Sequence, residues 1–270
     1  MKSFIKRLAR MSADGLYVAY LRGLNPEKPY PLRMWVDKRK MFGVFKSARD
    51  PLFNKLSSEV CAGSNVEFLP YGAVQENDVI GEWTMSKAVM KFLLEKMLEE
   101  KPRVIMECGS GLSSILLAHY ASIASADGFE VLVVSLEQDK EEVGRNMSRL
   151  RSIGLESYVK IIHAPTDAEG NYLLDAKAIL SATRNSKVDC LIIDGPSGPE
   201  GCRISTLPFL SEYCSRNARW YLDDALRDGE LNALVMWAGL SGCSVEGIYP
   251  FSKGLAVGRM NCLVGRPSGS

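Results

Sequence analysis

Apolar and polar positions fall into a regular rhythm from residue 84 onward. The stretch TMSKAVMKFLLEKMLEE (84–100) sets Val89, Phe92, Leu93, Met97 and Leu98 near the 3.6-residue period of a helix. Thr84 or Ser86 is available as its N-cap, and Pro102 closes it. Short, continuously apolar runs then alternate with helical patterns. RVIMEC (103–108), EVLVVSLE (130–137), YVKIIHA (158–164), VDCLIID (188–194) and ARWYLDD (218–224) read as strands. Between and after them, 112–124, 140–154, 173–183, a stretch around 203–216, and 229–239 read as helices, with Gly154 as the C-cap of the second. The end differs: CSVEGIYPF (243–251) and GLAVGRMNCLVG (254–265) read as two strands joined by a short turn, hence an antiparallel pair.

Strands that are apolar along their whole length and alternate with helices predict an α/β fold. Its doubly wound, mostly parallel sheet is covered on both faces. Right-handed crossovers then gather the loops after each strand along one edge, where ligands of open α/β sheets bind. Residues 1–80 lack sustained periodicity and include the Pro-rich NPEKPYPL (25–32). They are expected to form a helical and irregular lead-in over a main domain spanning 81–270.

At 270 residues and 46% apolar composition the chain can bury one substantial core. No run approaches the ~18 apolar residues of a membrane span. The basic MKSFIKRLARM start lacks the apolar centre of a signal peptide. Seven cysteines, without a C-x-x-C pair, suit reduced thiols and a cytoplasmic protein. The net charge of +1 argues against bulk nucleic-acid binding, yet residues 1–49 hold twelve Lys/Arg and three Asp/Glu. The densest part, DKRKMFGVFK (37–46), reads as a solvated loop or lid, or else as a contact for an anionic substrate, an acidic partner or a membrane surface.

The chemistry concentrates at strand ends. In VIMECGSGLSS (104–114) a strand runs into Glu107, then Gly109 and Gly111, before a helix restarts. This is not the G-x-x-x-x-G-K-[ST] pattern of a phosphate-gripping loop, and Ser114 stands where a dinucleotide fingerprint has its third glycine. A carboxylate at Glu107 would repel a pyrophosphate but tolerate a ligand carrying an ammonium and a sulfonium. Glu137 ends the second strand, where a carboxylate can accept hydrogen bonds from ribose hydroxyls.

From Glu82 to about Asp228 the chain resembles the class I S-adenosylmethionine-dependent methyltransferases. ECGSG is similar to that family's glycine motif and SLEQD to its ribose-binding strand end. GEWTMS, HAP, IIDGPSG and YLDDA fit one of its subgroups. The resemblance implies a Rossmann-like seven-stranded sheet with a reversed C-terminal hairpin. It also implies S-adenosyl-L-methionine as cofactor, held around Trp83, Ser86, Glu107, Gly109, Ser110, Gly111, Glu137, Gln138, His163, Ala164 and Asp194.

Asp194 ends strand four before a Gly/Pro-rich loop, and Asp223 and Asp224 end strand five on the same edge. Three converging carboxylates would suit Mg²⁺ or Mn²⁺. The pattern is similar to catechol-type O-methyltransferases, in which the metal binds and orients the substrate hydroxyls. Two departures stand out: Asp224 lies where those enzymes have Asn, and Ser197 where they have a lysine base. A structural role, with Asp194 capping the loop and the Asp223–Asp224 pair binding backbone amides or Arg227, and a metal-free reaction with Asp194 or Asp224 as base are the alternatives. Arg203 is a candidate clamp for an anionic substrate or cofactor carboxylate, with a surface salt bridge as the plainer reading. His119 is expected to be structural, and Met85, Met90 and Met97 to be core.

These features favour O-methylation of a small molecule or glycan. A nucleic-acid methyltransferase, a non-catalytic S-adenosylmethionine-binding module and an NAD-dependent oxidoreductase are the competing classes.

Overall fold

The computed structural model describes residues 20–42, 68–74, 84–251 and 253–261. Helix α1 (Leu32–Phe42) precedes α2 (Lys87–Glu100), followed by β1 (Val104–Cys108), α3 (Leu112–Ala126), β2 (Leu132–Glu137), α4 (Lys140–Ser152) and β3 (Val159–His163). Next come α5 (Ala176–Ala182), β4 (Val188–Ile193), α6 (Thr206–Leu210), β5 (Cys214–Asp223), α7 (Asp228–Ala238), β6 (Cys243–Tyr249) and β7 (Leu255–Met260). The seven strands form one sheet in the order β3-β2-β1-β4-β5-β7-β6. β1 to β5 pair in parallel, while β7 runs antiparallel to both β5 and β6.

Alternation along β1 explains the two-sided core. Val104, Met106 and Cys108 point into one apolar cluster, which also contains Leu207, Leu231 and Trp237. Ile105 points into the other, with Leu93 of α2 and Ile115 of α3. Both faces are therefore dry, which is why the central strands read as unbroken apolar runs. Met85, Met90 and Met97 are buried, as expected of core residues.

Local rules set the element ends. Ser86 caps α2 by accepting from Val89 N, and Lys101 closes that helix in a left-handed conformation at φ 51°. Asp139 caps α4 by accepting from Glu141 N at 2.7 Å, and Glu141 and Glu142 follow it at the positive end of the helix dipole.

Two expectations about elements are corrected. The helix around 203–216 is only Thr206–Leu210, because the chain passes through a single turn at Ser211–Tyr213 and has already entered β5 at Cys214. The buried stripe of α2 is Val89, Met90, Leu93, Leu94 and Met97, whereas Leu98 is largely exposed. The contact face is rotated toward α3, and apolar spacing alone did not reveal it.

Residues 20–42 of the N-terminal segment lie along the far edge of the sheet, whereas 68–74 pack elsewhere, with Leu69 and Ala73 in the cluster of α2 and α3. Tyr30 exchanges two backbone hydrogen bonds of 2.9 Å with Ile248 on the edge strand β6. Trp35 of α1 is buried. That pairing covers part of an edge whose free N–H and C=O groups would otherwise recruit another strand. No helix among the described residues is long and apolar enough to cross a membrane.

Gly258 of β7 packs so tightly that an added Cβ would lie 2.0 Å from Ser244 O and 2.1 Å from Trp220 Cζ2. Gly144, exposed in α4, would meet nothing within 4 Å. Gly258→Ala is expected to lower stability by about 1–3 kcal/mol or more through overpacking. Gly144→Ala is expected to raise it by about 0.5–1 kcal/mol. Urea denaturation of the two variants beside the parent protein checks both signs.

Candidate functional site

Strand order reverses between β1 and β4: from β1 the sheet proceeds to β2 and β3 on one side, and to β4 and β5 on the other. The loops leaving β1 and β4 must therefore diverge, and a cleft opens between them. Its volume is about 650 Å³. Gly109, Ser110, Glu137, Gln138, Asp139 and Glu142 line one side, and Asp194 to Gly198, Arg203, Asp224, Arg227 and Lys253 the other.

Backbone meets backbone at the floor. Gly109 turns at φ 88°, and a Cβ on it would sit 3.2 Å from Gly195 N. One on Gly195 would sit 2.9 Å from Gly109 N. Asp194 N donates to Cys108 O (3.0 Å) and Gly109 N to Leu136 O (2.8 Å), so the ends of β1, β2 and β4 are tied together. Gly111 differs, with an extended φ of 171° and nothing within 4 Å of where a Cβ would sit. Of the two motif glycines, only Gly109 is demanded by its own backbone.

Glu137 is fixed where strand two ends. Its Oε2 accepts from Ser110 N (2.8 Å) and Ser110 Oγ (2.7 Å), and its Oε1 from Asp139 N (2.9 Å). A carboxylate offers about four acceptor positions. Three are thus taken by these donors, which leaves room on Oε1 for one further hydroxyl rather than two. Asn146 of α4 adds a 2.8 Å bond to Ser110 Oγ.

Glu107 is not at the cleft surface. It is fully buried beneath the first turn of α3, where Oε2 accepts from Ser114 Oγ (2.5 Å) and Ser135 Oγ (2.8 Å). Its Oε1 has no hydrogen-bond partner among the described residues. Burial pushes the carboxyl up to about 7, and the hydroxyls of Ser113, Ser114 and Ser135 partly oppose the rise.

Other expected cofactor residues also sit differently. Ser86 spends its hydroxyl on the cap of α2, and Thr84 is the residue of that segment that lines the cleft. His163 is exposed, with Nε2 3.2 Å from Gln138 O, and Ala164 is buried, its backbone N donating to Glu137 O; neither lines the cleft. Gln138 reaches across instead: its amide donates to Ser197 O (2.9 Å) and accepts from Ser197 N (2.7 Å), bridging the two loops. Trp83 lies outside the described residues.

The other half of the cleft is a buried charge network. Arg203 Nη2 lies 3.4 Å from Asp194 Oδ1, Nε lies 3.7 Å from Glu230 Oε1, and Nη1 donates to Asp223 O at 3.3 Å. Arg227 pairs with both Asp224 (3.3 Å) and Glu230 (3.2 Å), and Lys253 Nζ lies 2.9 Å from Asp224 Oδ1. Arg203 is therefore neither a surface salt bridge nor an open clamp. It is buried, and its donors already serve Asp194, Asp223 and Glu230.

Lys253 was missed in the sequence because it carries no periodic signal; it sits in the turn between β6 and β7. Antiparallel pairing places Leu255 opposite Asp223, while Ala225 N donates to Gly254 O and Leu226 N to Lys253 O. The side chain is thereby set over the end of β5. Asp224 contributes by leaving the strand at φ 57°, a left-handed conformation that aspartate tolerates better than most residues.

Electrostatics separates the acids. Burial raises Asp223 well above the usual carboxylate range, and Asp224 and Asp194 raise it further. Burial also raises Asp194, with Arg203 opposing. Asp224 goes the other way: burial would raise it, but Lys253, Arg203 and Arg227 hold it below its ordinary value. Asp194, Asp224 and Glu230 lie against three cations, Arg203, Arg227 and Lys253.

The metal expectation is corrected by this donor set. Among the described residues no three His, Cys, Asp or Glu side chains are grouped to hold a metal ion. Asp224 gives one oxygen to Lys253 and the other to Arg227, and Asp194 faces Arg203. An ammonium ~4 Å from a divalent ion would repel it by roughly 8 kcal/mol at an effective dielectric of about 20. Asp194, Asp223 and Asp224 do not fit Mg²⁺ or Mn²⁺.

No protein-family model matches the chain, and no curated protein does. Solved structures do match. Cofactor-bound Rv0187 from MTB aligns with a TM-score of 0.52 at 18% identity, covering 86% of this chain and 98% of that one. The O-methyltransferase TomG from Streptomyces achromogenes, involved in tomaymycin synthesis and solved with SAM, aligns with a TM-score of 0.50 at 18% identity, covering 67% and 82%. At that identity the likeness is one of fold. This chain has the seven-stranded architecture with the reversed hairpin.

Truncating Arg203 to Met would leave Glu230 and Asp194 short of a partner in a buried network, and a cost of about 3–5 kcal/mol in urea denaturation is expected. Glu107 makes a pH signature. Its folded carboxyl keeps a proton that the unfolded chain releases, so its contribution to stability falls as pH rises from about 4.5 to about 7. At ~1.4 kcal/mol per pH unit the fall is about 3 kcal/mol. Urea midpoints measured across that window should drop in the parent protein, with a shallower drop in Glu107→Gln.

Proposed function

We propose that the chain is an S-adenosylmethionine-dependent methyltransferase that methylates an oxygen nucleophile on a small molecule or a glycan, without a divalent metal. One observation carries the reading: the half of the cleft around the glycine turn is lined by Glu137, Asp139 and Glu142, opposite the half in which cations match the acids. Acids in that position disfavour a pyrophosphate and a nucleic-acid backbone, and favour a ligand with an ammonium and a sulfonium.

When bound, S-adenosylmethionine supplies a methyl group on a positively charged sulfur. The chain's residues then have separate tasks. Glu137 takes a ribose hydroxyl on its remaining acceptor position. Gly109 and Ser110 shape the turn under the methionine end. Asp194 takes the proton that the acceptor oxygen loses, because burial raises its proton affinity while one face stays open to the cleft. Asp224, held ionised between Lys253 and Arg227, is the poorer base. As sulfonium charge disappears in the displacement, positioning and exclusion of water carry most of the effect.

In this reading residues 81–270 form the catalytic domain and residues 1–80 a lead-in, of which 20–42 pack at the β6 edge. The unpaired cysteines among the described residues agree with a reducing, cytoplasmic setting.

Calorimetry with S-adenosylhomocysteine and NAD tests the cofactor. S-adenosylhomocysteine should bind and NAD should not. Glu137→Ala should weaken S-adenosylhomocysteine by about 1–3 kcal/mol; unchanged affinity rejects the ribose assignment.

A further inference from the structure

We propose that the ammonium of Lys253 is the resident cation of the reaction edge: it stands against Asp224 where a divalent ion would otherwise sit, and it orients the acceptor oxygen in place of a metal. The inference deepens the methyltransferase reading and rests on it for the acceptor, but the site's occupancy by Lys253 can be tested without any acceptor.

Three observations converge. Lys253 is buried, yet it lines the cleft together with Asp194 and Asp224. Its Nζ lies 2.9 Å from Asp224 Oδ1, and its charge acts on Asp194 and Asp223 as well as on Asp224. One positive charge, in contact with Asp224, thus lies at the edge shared by the three aspartates that would ligate a divalent ion.

The position is also built rather than incidental. Two backbone hydrogen bonds clamp the β6–β7 turn to the residues after β5. Gly254 turns at φ 89° where an added Cβ would strike Leu226 Cγ at 2.5 Å. A long flexible cation is ordinarily left in water; here the turn drives it into the sheet edge. An ammonium so held favours the negative charge that develops on an acceptor oxygen as its proton leaves.

The experiment is Mn²⁺ titration followed by electron paramagnetic resonance, on the full chain and on Lys253→Gln and Lys253→Ala. The parent protein should hold no Mn²⁺ in the cleft at millimolar concentration. Removing the ammonium exposes surplus carboxylate, so at least one of the two variants should gain a single Mn²⁺ site at least tenfold tighter than any site of the parent. Adding Asp224→Asn to that variant should abolish it. Lys253→Arg, which restores the charge, should return to parent behaviour. The proposal is overturned if the parent already binds Mn²⁺ in a manner that Asp224→Asn abolishes, or if both neutral variants, folded by circular dichroism, gain no site. Calorimetry of the parent with S-adenosylhomocysteine runs in parallel. Its failure would remove the methyltransferase reading, whereas the Mn²⁺ series alone decides what Lys253 displaces.

Discussion

Two glycines packed backbone to backbone are the constraint on which the rest of this molecule depends. Gly109 leaves β1 and Gly195 leaves β4, and neither position has space for a side chain because each would press on the other's main chain. Parallel strands whose connections run in opposite directions need some such contact at the point of divergence. The hydrogen bonds from Asp194 N to Cys108 O and from Gly109 N to Leu136 O extend that contact sideways. Everything that lines the cleft is placed relative to this floor, from Glu137 on one side to Asp194 on the other.

The cleft then has two electrostatic halves. Around Ser110 the charge is negative and little compensated, since the partners of Glu137 are neutral N–H and O–H groups. Around Asp194 the negative charge is matched by Arg203, Arg227 and Lys253 in a buried network. Buried ion pairs gain little stability over apolar packing, because desolvation offsets most of the attraction. Their use here is positional: each carboxylate has a fixed orientation and its own proton affinity. Asp223 and Asp194 are pushed up by burial, while the surrounding cations hold Asp224 down. Three chemically identical acids within one edge therefore become three different groups.

Much of the fold was legible along the chain. The central strands were visible because both faces are buried, so their apolar runs are unbroken. The C-terminal pair was visible because its pattern departs from the strand–helix alternation. Gly109 and Glu137 stood out because a glycine turn and a strand-end acid are local features. Where local pattern was weak the reading slipped: 203–216 is apolar enough for a helix, yet it holds one short helix, a single turn and the start of β5.

The chain by itself determined the alternation, the parallel core and the strand ends that carry acids, because each depends on residues close in sequence. Tertiary structure alone decided what those acids do. Asp224 and Lys253 lie 29 positions apart, and their contact exists only because β7 returns antiparallel beside β5 and brings its preceding turn to the same edge. Glu107 was readable as an acid beside a glycine turn. That α3 and the hydroxyls of Ser114 and Ser135 seal it from the cleft follows from packing in three dimensions. Charge acts through space rather than along the chain, so which carboxylate is ionised, neutral or poised is settled only once the sheet has brought its cations into place.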